Sequence, residues 1–399
     1  MNVLFLSIGS FKSIKSTGIY PDLLREFRKR GDDVYIVGSY EKRVNKNTEL
    51  VNEDGVNFLH VKIGNITKCG IIEKGISMLR LETLYKKAIK KYFKGVKFDL
   101  ILYTTPPITF CNVVKYVKKR DNARTYLMLK DIFPQNAVDI GMLTKSGLKG
   151  ILYKYFRKKE KKLYALSDTI GCMSQANCDY VIKHNPEINP QKVEVCPNAI
   201  EFVDVSISTE EKIAMRQKYD LPLDKKIFVY GGNLGKPQGV PFVIESIKKT
   251  TNEDAFFLVV GDGTEFKKLQ AFADEYKPNN FRLMKRLPKE DYDRMIVSCD
   301  VGMIFLDNRF TIPNFPSRLL SYMQAGLPML ACTDVNTDVG KVITDGGFGW
   351  WCQSDDPEKF AKIVDEAIAC NDLTKKSKNA IEYLKEHYSV QKEYDIIVK

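Results

Sequence analysis

Short apolar runs alternate along the whole chain with amphipathic stretches of helical length. In the first half the runs at residues 2–8, 33–38, 57–63, 98–103, 123–129, 168–172 and 193–196 read as strands. Between them, residues 18–30 put Tyr20, Leu23, Leu24 and Phe27 on one helical face, and residues 76–93, a stretch ending at Arg120, 147–166 and 175–183 carry helical patterns too. After a polar linker with a helix near 210–218, the second half repeats the plan. Its strands are expected at 226–230, 255–261, 281–286, 301–306 and 329–332, and its helices at 241–249, 265–276, 289–298, 357–370 and 374–387. Strands alternating with helices predict parallel sheets covered by helices on both faces. At 399 residues the chain exceeds one ordinary core. The expected fold class is therefore α/β, with two Rossmann-like doubly wound domains facing across a cleft. Residues 1–200 form the first domain and 201–385 the second, while 386–399 is a segment able to return to the first.

In open parallel sheets ligands sit beyond the carboxyl ends of the strands, so the loops at that edge carry the candidate chemistry. The run at 301–306 leads through Asn308, Arg309, Pro313 and Asn314 to Pro316, Ser317 and Arg318. A helix is expected to start there, with proline at its first position, and Gly326-Leu327-Pro328 ends it. Such a helix start presents free N–H groups to an anion. The glycine loop at 231–239, with Gly232, Asn233, Lys236 and Gln238, lets backbone N–H groups approach a phosphate closely. Arg286 closes a neighbouring strand, so these groups are expected to meet at one ligand. In the first half Gly18 opens a helix, and Lys130, Asp131 and Asn136 follow the strand at 123–129. A carboxylate at that edge suits catalysis, or equally the capping of a helix.

The net charge of +12 favours an acidic partner: nucleic acid, an anionic bilayer or a phosphorylated substrate. The lysines concentrate on two amphipathic helices. One spans 76–93. The other, at 147–166, sets Lys154, Arg157, Lys158, Lys161 and Lys162 against Leu148, Ile151, Leu152, Tyr155 and Phe156. That pattern fits an anionic membrane surface or a solvated helix face. No nucleic-acid module is recognisable, so no nucleic-acid partner is expected. Residues 1–6 lack the basic start and cleavage site of a signal sequence and read as the first strand. Nine cysteines, scattered without CxxC pairs, fit reduced cytosol and not a zinc site. None of the three histidines, His60, His184 and His387, falls at a strand's ligand edge, so base catalysis by histidine is not expected. A P-loop, a Ser-His-Asp set and metal-ligand spacing are all missing from the sequence. Departure of a nucleoside diphosphate needs mainly positive charge and N–H donors at the leaving oxygens, which the second half carries.

The sequence resembles GT-B glycosyltransferases of the large retaining family four, in particular bacterial capsule and O-antigen enzymes of the N-acetylfucosamine-transferase type. The resemblance rests on residues 130–137 (KDIFPQNA), Met173-Ser174, Pro197-Asn198, residues 230–235 (YGGNLG) with Gln238-Gly239, Gly261-Asp262-Gly263, Pro316-Ser317-Arg318 and residues 322–328 (YMQAGLP). It implies an acceptor-binding first domain, a nucleotide-sugar donor on the second, retention at the anomeric carbon and no cofactor or metal. Three departures stand out. The family's paired glutamates, spaced E-x7-E, fall on Pro313 and Ser321. The cations of its diphosphate loop fall on Asn233 and Gln238, leaving Lys236 and Arg318. Its His-Asp pair reads Lys130-Asp131.

The chain is thus expected to move a sugar from a UDP- or GDP-type donor to a lipid-linked saccharide in bacterial surface polysaccharide biosynthesis. It would work in the cytoplasm, peripherally on the inner face of the cell membrane. Asp131 is the expected catalytic residue. Gly232, Asn233, Lys236, Gln238, Arg286, Asn314, Ser317, Arg318 and Ser321 are expected on the donor, and Gly18, Lys130 and Asn136 on the acceptor side. A non-catalytic accessory subunit that binds glycan or a partner transferase is the alternative, motivated by the missing glutamates. A nucleotide-sugar epimerase is disfavoured by the lack of histidine or paired carboxylates.

Overall fold

The computed structural model describes residues 1–9 and 13–399; Ser10, Phe11 and Lys12, within the first glycine-bearing loop, lie outside the described residues. The chain divides into two compact units, Met1–Glu201 with Val390–Lys399, and Phe202–Ser389.

The first unit carries β1 (Asn2–Leu6), β2 (Asp33–Glu41), β3 (Glu49–Glu53), β4 (Val56–Ile63), β5 (Leu100–Thr105), β6 (Arg124–Leu129), β7 (Thr169–Cys172) and β8 (Val193–Val195). They form one sheet in the order β3-β4-β2-β1-β5-β6-β7-β8, parallel except for β3 on β4. Its helices are α1 (Ile19–Lys29), α2 (Ile71–Tyr92), α3 (Cys111–Asp121), α4 (Gln135–Asp139), α5 (Gly147–Leu166) and α6 (Gln175–His184). Strand β3 is absent from the sequence expectation. Its residues are mostly exposed, so it has no apolar run to reveal it. The crossovers through α2, α3 and α5 each step the sheet in the same direction. Right-handed connection places these helices on one face, with α1 on the other.

The second unit has β9 (Lys226–Asn233), β10 (Ala255–Asp262), β11 (Phe281–Lys285), β12 (Val301–Phe305), β13 (Met329–Thr333) and β14 (Gly349–Gln353), all parallel, in the order β11-β10-β9-β12-β13-β14. The order reverses between β9 and β12, and ligands of doubly wound sheets bind at that switch point. The helices are α7 (Thr209–Lys218), α8 (Val240–Lys249), α9 (Phe266–Tyr276), α10 (Lys289–Ile296), α11 (Arg318–Gln324), α12 (Val339–Asp345), α13 (Pro357–Ile368) and α14 (Leu373–His387). A capping box between Ser208 and Glu211 starts α7, satisfying two backbone donors reciprocally. Phe228, Phe257, Phe305, Leu330 and Phe360 fill the core between sheet and helices.

Helix α15 (Val390–Val398) belongs to the first unit. Tyr394 packs edge-on to Phe27 of α1 at 4.7 Å and donates to Asp32 Oδ2 at 2.9 Å. Ile397 is fully buried in the core that holds Val3, Phe5 and Leu24. Burying one such side chain contributes about 1.5–3 kcal/mol. Among the described residues no helix is long and apolar enough to cross a membrane.

Candidate active site

Strand β9 runs through the glycine pair to Asn233 because Gly232 and Asn233 stay in register with Gly261 and Asp262 of β10. Two aromatic hydroxyls fix this strand end. Tyr230 Oη donates to the Asn233 carbonyl at 2.7 Å, while Tyr322 Oη accepts from Gly231 N at 3.1 Å and donates to the Val229 carbonyl at 3.2 Å. Gly231 has no alternative residue here: a Cβ would collide with the Tyr292 phenol. Gly232, at φ +132°, would place a Cβ 2.9 Å from Arg318 Nη2.

Arg318 opens α11 beneath this turn. Its guanidinium lies 4.0 Å from the Tyr230 ring centroid, a cation–π contact, and its Nη1 is buried without a hydrogen-bond partner. Burial opposes the charge, but Tyr230, Tyr322 and Tyr292 around it hold the guanidinium protonated on balance. The same burial raises the Tyr322 phenol to about 12, against the pull of Arg318. The expected proline start of the helix is not observed. Pro316 precedes the Ser317 cap, and α11 has only seven residues, so its positive edge comes from Arg318 more than from a helix dipole.

A cavity of about 880 Å3 opens over these groups, a size typical of small-molecule sites. Gly232, Asn233, Arg286, Ser317, Arg318 and Ser321 all line it. Among the described residues neither Arg286 nor Arg318 has a carboxylate partner, so the cavity presents cations in need of an anion. Lys289 and Tyr292 line it as well, and neither is evident from sequence. Tyr292 sits in an amphipathic helix pattern, where a buried aromatic ordinarily means core.

Three expected donor residues lie off this wall. Lys236 is exposed in a short 3-10 turn. Gln238 braces the loop instead, its Oε1 accepting from Asn233 Nδ2 at 3.2 Å and from Gly235 N at 3.0 Å. The two positions where the family carries cations therefore bond to each other. The Asn314 carbonyl accepts from Thr337 Oγ1 at 2.5 Å, which ties its loop to the segment after β13.

In the first unit Asp131 follows β6. Asn136 Nδ2 donates to both its carboxylate oxygens, at 2.8 and 2.7 Å, and Asn136 Oδ1 accepts from Ala137 N, which fixes the amide's orientation. Burial pushes the Asp131 carboxyl up to about 6, with the Asn136 donor restraining the rise. Lys130 turns away from this edge. Its Nζ lies 3.5 Å from Glu393 Oε1 of α15, and the two side chains are only 8% and 1% exposed. Burial raises the Glu393 carboxyl to about 7 against the opposing pull of Lys130. Lys130 is thus committed to holding the last helix and is not free for an acceptor. Gly18 caps α1, its N–H donating to Asp22 Oδ1 at 3.0 Å.

On α5, Lys154, Lys158, Lys161 and Lys162 are exposed, as are Leu148, Ile151, Leu152 and Tyr155. Arg157 departs from the outward-facing set. It bonds Glu160 at 2.6 Å, the His184 carbonyl at 2.9 Å and Asn185 Oδ1 at 2.6 Å, tying α5 to the end of α6. Among the described residues no group of three or more His, Cys, Asp or Glu is placed to hold a metal ion.

Residues 211–387 match the family of glycosyl transferases group 1. The chain is 24% identical over 312 residues to the probable glycosyltransferase WbjE of Pseudomonas aeruginosa, covering 76% of this chain and 74% of that one. It is 23% identical over 275 residues to WcaI of Escherichia coli strain K12, assigned by name to colanic acid biosynthesis, covering 67% and 66%. Among solved structures, HepE of Anabaena in complex with UDP-glucose superposes with a TM-score of 0.71 at 15% identity, covering 100% of this chain and 98% of that one.

Proposed function

We propose that this chain, a nucleotide-sugar-dependent glycosyltransferase of the GT-B fold and family-four type whose second unit carries the group 1 domain, transfers its sugar to a lipid-linked saccharide. The process it serves is bacterial surface polysaccharide biosynthesis, of the capsule or O-antigen kind, in line with the role by which WcaI is named. The donor is a UDP- or GDP-type sugar, the acceptor a polyprenyl diphosphate glycan, and the anomeric configuration is retained. The enzyme works without a metal or other cofactor at the inner face of the cell membrane, which the exposed lysines and apolar side chains of α5 touch.

One observation carries this reading: Arg318 is a half-buried cation with a buried, unpartnered Nη1, on the wall of a cavity at the switch point of a parallel sheet. A diphosphate in the cavity supplies the counter-charge that this guanidinium lacks. Arg286 and the turn at Gly232 and Asn233 add cation and N–H donors as charge develops on the leaving oxygens. Ser317 and Ser321 supply hydroxyls toward the sugar or ribose in place of the family's carboxylate. Asp131, with its carboxyl near 6, orients the acceptor hydroxyl and takes its proton as the glycosidic bond forms.

A thermal-shift panel of UDP, GDP and their sugars tests the donor assignment. Binding at a hundred times Kd adds about 2.7 kcal/mol to stability, a readily measured rise in Tm. No shift with any nucleotide would favour the accessory subunit, for which the absence of an acid at Pro313 and Ser321 is the specific argument.

A further inference from the structure

The first unit holds a second cavity, of about 760 Å3, in the groove between α2 and α3. Lys86, Lys87 and Lys90 line it from α2, and Lys115, Lys119 and Arg120 from α3. Its one carboxylate, Glu82, is already engaged: it accepts from Asn112 N and, at 2.8 Å, from Asn112 Nδ2, and lies 3.7 Å from Lys159. Among the described residues none of the five groove lysines has a carboxylate within ion-pair distance. Two of these lysines share a single aromatic ring instead, together with Arg120, whose guanidinium is already paired with Asp121 at 2.6 Å. Lys86 Nζ, Lys90 Nζ and Arg120 Cζ lie 5.2, 4.9 and 5.7 Å from the centroid of Tyr116.

Two ammonium groups so close to one ring centroid are separated by at most about 10 Å, comparable with the ~8 Å Debye length of physiological salt, so their repulsion is only partly screened. A multiply charged anion relieves it, and lysine offers the compact charge and rotatable donors that phosphate oxygens accept. The lining face of α2 also continues beyond the groove. Positions 76, 79, 83, 86 and 90 share one helical stripe, and Ile76 and Leu79 on it are 53% and 63% exposed. The groove therefore opens onto apolar surface, which suits a phosphate borne on a hydrocarbon tail.

We propose that the α2–α3 groove is a second anion site that binds phosphate-borne charge of two or more units, either on one diphosphate ester or summed over neighbouring lipid headgroups. The site stands independently of the donor cavity, and its failure would leave the donor assignment untouched.

The test compares the wild-type chain with Lys86→Gln/Lys90→Gln/Lys119→Gln, using titration with pyrophosphate and sedimentation with phosphatidylglycerol vesicles at physiological salt. At least one of the two affinities is expected to fall tenfold or more. Loss in the pyrophosphate arm identifies a soluble diphosphate, and loss in the vesicle arm alone identifies headgroups. The UDP-induced thermal shift, unchanged in this variant, certifies its fold and separates the groove from the Arg318 cavity. Wild-type protein that binds neither probe, or a variant that retains both affinities, would overturn the proposal. So would a single-stranded RNA that binds more tightly than either probe and is lost in the variant.

Discussion

The guanidinium of Arg318 rests 4.0 Å from the centroid of the Tyr230 ring, and a Cβ on Gly232 would lie 2.9 Å from its Nη2. Stacking fixes the plane of the guanidinium, and the glycine leaves its edge uncovered. Arg318→Lys keeps the charge but loses both the stack and the fork of donors, so it is not a conservative change. With a hydrogen bond to a charged group worth about 1.5–3 kcal/mol, UDP affinity is expected to fall roughly 10- to 100-fold in Arg318→Ala. Arg318→Lys should fall nearly as far. Isothermal titration reads both.

Gly231 is constrained by the Tyr292 phenol in the same way. Gly231→Ala is expected to cost about 1–3 kcal/mol, the range for overpacking a filled site, and to abolish the nucleotide-dependent thermal shift. In a Tyr292→Ala background the same change should cost much less. A double-mutant cycle in urea measures that coupling.

Asp131 titrates near 6 when folded, above its unfolded value of about 3.9. Between these values the folded state keeps a proton that the unfolded state has lost, so stability falls as pH rises from about 4 to 6. As proton acceptor the carboxylate must be ionised, and kcat/KM is expected to rise through pH 6 to a plateau. Asn136→Ala removes the donor that restrains the shift, so the rising limb should move to higher pH. Asp131→Asn should leave a flat profile at greatly reduced rate.

Lys130 and Glu393 form a buried pair, so removing one partner strands the other. Lys130→Met is expected to cost about 3–5 kcal/mol, while Lys130→Met/Glu393→Leu should be close to neutral. Denaturant midpoints of the two variants against the wild type decide.

On α5 the outward lysines and Arg157 should separate cleanly. Replacing Lys154, Lys158, Lys161 and Lys162 with glutamine is expected to weaken binding to anionic vesicles at least tenfold, since each charge near such a surface is worth about 1 kcal/mol. Arg157→Gln should leave vesicle binding nearly intact and lower stability instead, by about 1–3 kcal/mol, because it breaks bonds to Glu160 and Asn185.

Elements with a strong period were legible in the sequence: residues 147–166 read as a helix, and α5 spans Gly147–Leu166. The switch-point loops were legible too, since an apolar run followed by glycines marks a strand end whatever lies across from it. The direction of a side chain was not. Lys130, Arg157 and Gln238 each occupy a position where a solvent-facing charge or donor is expected, and each is consumed by a partner distant in sequence or across its own loop. Likewise, the phenols of Tyr230, Tyr292 and Tyr322 converge on Arg318 only once three separate elements have packed.

The return of α15 makes the first unit discontinuous in sequence, with the whole of the second unit inserted between its parts. The first unit therefore depends on its final ten residues for Ile397 in its core and for the counterion of Lys130. A chain cut after Ser389 would retain every residue of the Arg318 cavity yet strip the residue before Asp131, Lys130, of both its cover and its counterion. Such a fragment is expected to keep any nucleotide-dependent thermal shift of the second unit while the first stays unfinished, and one helix of nine residues makes that difference.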